Sequence, residues 1–113
     1  MADNVNNNTV ELGRVIFQGT ELKYQLDITC EGFDMLQDDF KVIVKTGTNR
    51  EVTITKGEMI LTENDKFIFT IDTAILGTGK YYLTVVAYVP DEDFDDGLRT
   101  EVMKETLCEV MSA

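Results

Sequence analysis

From Glu21 to Cys30 polar and apolar residues alternate one for one. Leu22, Tyr24, Leu26, Ile28 and Cys30 take one phase, and Lys23, Gln25, Asp27 and Thr29 take the other. A period of two sends alternate side chains to opposite faces of an extended chain, so this segment reads as a strand with one buried face. The pattern returns at Phe40, Val42 and Val44, with Lys41 and Lys45 opposite, and again at Phe67, Phe69 and Ile71. Between these, Val52-Thr53-Ile54-Thr55 is β-branched throughout. Gly47-Thr48-Asn49 supplies the turn residues that make Phe40–Lys45 and Glu51–Lys56 a hairpin. Val10–Phe17, broken at Gly13, and the short Met59–Thr62, followed by the turn Glu63–Lys66, predict two further strands.

The longest apolar run is Lys80–Val89. Tyr81, Leu83, Val85, Ala87 and Val89 share one phase, while Tyr82, Val86 and Tyr88 make the other phase apolar as well. Such a strand is either central or carries an interface on its second face. Pro90 stops it, because proline donates nothing to an interior ladder. Before it, Asp72 caps a single helical turn that Gly77 and Gly79 end. After it, Leu98–Val110 fits a strand through about Thr106, although Met103, Leu107 and Val110 also match one helix face. Seven to eight short strands with turns between them predict an all-β antiparallel sandwich. Gly79-Lys80-Tyr81-Tyr82-Leu83 matches the tyrosine corner of immunoglobulin-like sandwiches, with Leu83 in the place of the disulfide cysteine.

At 113 residues the chain is one domain. The expected division is a flexible, Asn-rich N-terminal arm over residues 1–9 and a sandwich over residues 10–113. Twenty-one acids against ten bases give a net charge of −11. That balance argues against direct binding to nucleic acid, which needs a basic face. An acidic surface that imitates DNA remains a minor reading. No apolar run is long enough to cross a membrane, and the first residues lack the basic and apolar segments of a secretory signal. Two cysteines, Cys30 and Cys108, are too few and too far apart for a disulfide framework, and Cys30 sits in the buried phase of its strand.

Catalytic chemistry has little to work with. There is no histidine, and the one serine, Ser112, lies next to the end. Ser-His-Asp and Cys-His arrangements are therefore absent, and two distant cysteines make no zinc site. Gly77-Thr78-Gly79-Lys80 fails as a phosphate loop, because Ala74 stands where the first glycine belongs and Tyr81 where Ser or Thr should follow the lysine. No cofactor motif is present, and the chain does not read as an enzyme. Asp91, Glu92, Asp93, Asp95 and Asp96 place five acids in six residues. Asp91, Asp93 and Asp95 have the spacing of a calcium loop, but Asp96 and Val102 occupy the positions that need Gly and Glu. Those three aspartates are candidate Ca²⁺ ligands of a looser site, beside the plainer reading of a solvated, self-repelling loop. Tyr24, Tyr82 and Tyr88 are candidates for a glycan surface, beside a plain packing role.

The run from Asp72 to Val102 resembles a segment of small virion proteins of crAss-like and other Bacteroides phages. The matching positions are Asp72, Thr73, Leu76, Gly77 and Gly79, then, after a long apolar strand, Pro90, Asp91, Asp93, Phe94, Asp96, Gly97, Arg99, Thr100 and Glu101. Gly19–Ile28 matches more loosely. The resemblance implies a virion structural protein, made in the host cytoplasm. It points to a head fibre, a fibre-attachment piece or a capsid decoration protein, with a tail or baseplate component or a glycan-binding adhesion module as the alternative. It supplies no catalytic residues. Its expected partners are further copies, as a dimer or trimer, and other virion proteins, with no nucleic acid and no membrane. Tyr82, Val86, Tyr88, Val102, Met103 and Leu107 are the candidate interface residues.

Overall fold

The computed structural model describes residues 4–7 and 14–113, with side chains from Val15 onward. Much of the polar stretch 1–9, including the Asn8-Thr9 pair, lies outside the described residues, as do residues 10–13 of the first predicted strand. The strands are β1 (Asn4–Asn7), β2 (Arg14–Phe17), β3 (Glu21–Asp27), β4 (Phe40–Thr46), β5 (Glu51–Thr55), β6 (Ile60–Leu61), β7 (Phe67–Asp72), β8 (Gly79–Pro90) and β9 (Leu98–Met111). A 3₁₀ turn covers Lys56–Glu58, and one helical turn, α1, covers Thr73–Leu76. As its sequence predicts, α1 begins where the Ala74 N–H donates to the Asp72 carboxylate, and it ends at Gly77 with φ of 85°.

Two sheets form, one in the order β1-β3-β7-β6 and one in the order β2-β9-β8-β4-β5. Leu22, Tyr24, Leu26, Phe67, Phe69 and Ile71 from the first share one core with Val42, Val44, Tyr81, Leu83, Val85 and Val89 from the second. The alternating positions are the ones that enter it, since each strand has only one face to hide. Phe40 of β4 meets Phe67 of β7 edge-on across the sheets at 5.1 Å.

Nine strands appear among the described residues, against an expectation of seven to eight. One extra strand is β1, whose polar composition hides it. It pairs antiparallel with β3, from Asn4 opposite Asp27 to Asn7 opposite Tyr24, through backbone groups that any sequence carries. The expectation of a wholly antiparallel sandwich is corrected at β2, which runs parallel to β9, with Arg14 beside Cys108 and Phe17 beside Met111. The C-terminal segment is strand to Met111, well past Thr106, so the helical alternative falls. A bulge opposite Tyr81/Tyr82 leaves Leu107 without a Cα partner. Leu107 and Cys108 then both turn inward, and this breaks the plain alternation that a strand reading needs.

Candidate functional site

The outer face of the five-stranded sheet is built from the second phase of β8 and its neighbours. Tyr82 lies beside Thr106 of β9 and Lys45 of β4, Val86 beside Val102 and Lys41, and Tyr88 beside Thr100. Tyr82 is 42% exposed and Val102 56%, whereas Val86, walled in by its neighbours, is only 8% exposed. Four of the six predicted interface residues thus share one face. The other two do not: Met103 packs against the core and Leu107 is fully buried within it. They follow the inward phase of β9, which the sequence leaves undecided between strand and helix.

Sequence reasoning put Lys41 and Lys45 opposite the buried phase of their strand but did not join them with Lys80 and Lys104 in one site. Lys41 and Lys45 on β4, Lys80 on β8 and Lys104 on β9 alternate with core residues and so point outward, and none makes an ion pair with a described residue. Among the described residues, Glu51 and Glu109 answer them on the same face, opposite Lys45 and Lys80, and Asp39, whose carbonyl accepts from the Tyr88 N–H, stands next to Lys41 in the same phase. A chain of net charge −11 thus gathers four lysines on one sheet face. An open depression of about 360 Å³ lies in it, with walls that include Lys45, Tyr82, Thr84, Lys104 and Thr106. The cue that finds this face is the strand register, because lysines far apart in sequence become neighbours only through pairing.

At the far end of the β8–β9 hairpin, residues 91–97 close on themselves. The Asp91 N–H donates to Gly97 O, and the Asp93 N–H donates to the Asp91 carboxylate. Arg99 holds the loop down. Its Nη1 donates to Asp91 at 2.7 Å, its Nη2 to Glu31 O at 3.2 Å, and its Nε lies 3.7 Å from Glu101. The Asp93 amide first, and Arg99 second, keep the Asp91 carboxyl below the usual carboxylate range. Asp91 is thus committed to its own loop, and among the described residues no group of three acids or cysteines converges to hold a metal, Asp91, Asp93 and Asp95 included. A depressed carboxylate stabilises the fold above its unfolded pKa and loses that contribution as pH falls through its folded pKa. Asp91→Asn should therefore melt below the wild type at pH 7, and thermal melts taken toward pH 2 should show the gap closing.

Cys108, Tyr24 and Glu105 are buried or half-buried polar groups with raised pKa values. Burial pushes the Cys108 thiol up. The Tyr24 hydroxyl sits beside its sulfur, a weak acceptor, and makes no hydrogen bond of ordinary geometry with a described residue. Burial raises Tyr24 as well. On the inward phase of β9, Glu105 has a buried Oε2 with no partner among the described residues, and desolvation raises its pKa. A raised carboxyl contributes most below its unfolded pKa and costs stability as pH rises through its folded value. Glu105→Leu should raise stability at pH 7 by about 1 kcal/mol, as an unsatisfied buried acceptor is removed. The gain should shrink in denaturant titrations at pH 4.

The depression brings together an aromatic ring, two threonine hydroxyls and two ammonium groups. Comparison with known proteins adds a fold likeness. No family model and no curated protein matches the chain. Among solved structures, the chain is similar to the endo-β-1,4-mannanase from Thermotoga petrophila, with a TM-score of 0.54 at 15% identity. The similarity covers 100% of this chain and 20% of the mannanase chain, so this chain spans about a fifth of that enzyme. At that identity the likeness is one of fold alone.

Proposed function

We propose that the chain is a structural protein of a phage virion, a head-fibre, fibre-attachment or capsid-decoration component that works by assembling with copies of itself and with other virion proteins. The observation that carries this reading is the outer face of the five-stranded sheet, where Tyr82, Val86, Tyr88 and Val102 lie among lysines that form no ion pair with a described residue. Exposed Tyr82 and Val102, with the half-buried Tyr88 and the buried Val86 between lysines, are the makings of an interface. The resemblance of Asp72–Glu101 to phage virion proteins supplies the setting. Immunogold labelling of phage particles from a host carrying this sequence, with antibody to the chain, should decorate the virion. Particles that stay bare while free protein is labelled would remove the virion role.

We read the fold as an immunoglobulin-like sandwich. β1, β3, β7 and β6 correspond in order to strands A, B, E and D, and β9, β8, β4 and β5 to G, F, C and C′. The Tyr81 hydroxyl, bonded to Gly77 O at the corner before β8, supports the same reading. A second function has one observation in its favour. Tyr82 stands in an open depression beside the hydroxyls of Thr84 and Thr106, which suits a sugar ring. Calorimetry with plant and bacterial oligosaccharides tests it: heat lost in Tyr82→Ala sustains a glycan-binding module, and silence removes it.

A further inference from the structure

We infer that copies of this chain join head to tail, the acidic β8–β9 hairpin tip of one copy seating in the lysine-flanked depression on the outer sheet face of the next. The proposal rests on the self-assembly reading above and specifies its geometry. The tip supplies the complement of the depression. Phe94 stands 47% exposed at the turn, and Glu92, Asp93, Asp95 and Asp96 around it are exposed and form no ion pair with a described residue. The depression is lined by Tyr82, Lys45 and Lys104, neither lysine forming an ion pair with a described residue, and by Glu105, whose Oε2 is buried. An aromatic ring among carboxylates thus faces an aromatic ring flanked by two ammonium groups. Closed by its own Asx turn and by Arg99, the tip keeps this shape before docking, which lowers the ordering cost of binding.

The two halves cannot meet within one molecule. Asp91 follows Tyr82 by nine positions along the chain, roughly 30 Å of extended strand at about 3.3 Å per residue. Each copy therefore offers one tip and one depression at different places, which is a heterologous contact. Repetition of such a contact gives a ring or a filament and not a closed two-fold pair. The contact is small, below the roughly 1,200 Å² of a stable standard interface, so association is read at high protein concentration or on a scaffold that adds avidity.

Sedimentation velocity on the full chain, up to about 1 mM, tests this with two surface variants. One carries Lys45→Glu and Lys104→Glu and has a tip but no depression. The other carries Asp93→Asn, Phe94→Ser and Asp95→Asn and has a depression but no tip. The wild type should form a concentration-dependent ladder, and each variant alone should remain monomeric. An equimolar mixture of the variants should give a one-to-one pair that does not grow. If the wild type associates but the variants do so equally, or if their mixture fails to pair, the tip-to-face geometry is overturned while self-assembly stands. A wild type that stays monomeric over the whole range overturns both.

Discussion

Phe40→Ala should cost about 3–5 kcal/mol, the usual range for truncating a buried aromatic. Against a total stability of about 5–15 kcal/mol, that is about a fifth or more of what holds the chain folded. Phe40 is 1% exposed and touches three parts of the molecule at once. It is edge-on to Phe67 of the opposite sheet at 5.1 Å and to Phe33 of the loop after β3 at 6.1 Å. Above it, Lys56 Nζ lies 5.5 Å from the ring centre while donating to Leu36 O and Asp38 O. Removing the ring opens a cavity between the sheets and takes away the surface on which that ammonium group rests. The melting temperature should fall on the order of 15 °C. In urea the midpoint should drop with an unchanged slope, since the surface exposed on unfolding is nearly the same. Phe40→Leu, which keeps most of the volume, should lose less than half as much. A loss below about 1 kcal/mol for the alanine variant would show that the ring does not bridge the two sheets.

The same residues show what the sequence can disclose. Phe40, Val42 and Val44 declare a buried face because alternation is a local property, written in adjacent letters and read by the rule that governs any strand. The faces of β3, β4, β7 and β8 follow from it. Where the local rule is interrupted, the sequence is silent. The bulge at Leu107 lets two successive residues point inward, so the C-terminal letters match neither period cleanly. The Asn-rich β1 pairs through its backbone, and a backbone leaves no trace in composition. Pairing partners are a third kind of information. Lys45 and Lys104 become the walls of one depression only because β8 lies between β4 and β9, an order that follows from the whole topology. The candidate site was therefore half legible: its apolar residues came from the two-faced strand Lys80–Val89, and its charge came from register.

Tyr81→Phe should cost about 1–3 kcal/mol, although no carbon atom is lost, because the change strands a carbonyl. The Tyr81 ring is fully buried, and its hydroxyl donates to Gly77 O at the corner between α1 and β8. Gly77 itself closes α1 by donating from its N–H to Thr73 O, so the hydroxyl ties the helical turn to the start of the central strand. Phenylalanine keeps the packing and leaves the carbonyl without that donor. The pH dependence separates this effect from a packing change. Burial first, then the neighbouring Cys108 and Asp72, push the Tyr81 hydroxyl up to about 12. A group raised in the folded state contributes fully below its unfolded value near 10 and loses that contribution as pH climbs through its folded value. The stability gap between wild type and Tyr81→Phe should be constant from about pH 7 to pH 9 and should narrow between about pH 10 and pH 12. Tyr24, raised by the same kind of burial, is common to both proteins and cancels in the difference. A gap that persists unchanged to pH 12 would mean that the hydroxyl's proton takes no part in holding the corner, and the immunoglobulin-like reading would lose its most specific support.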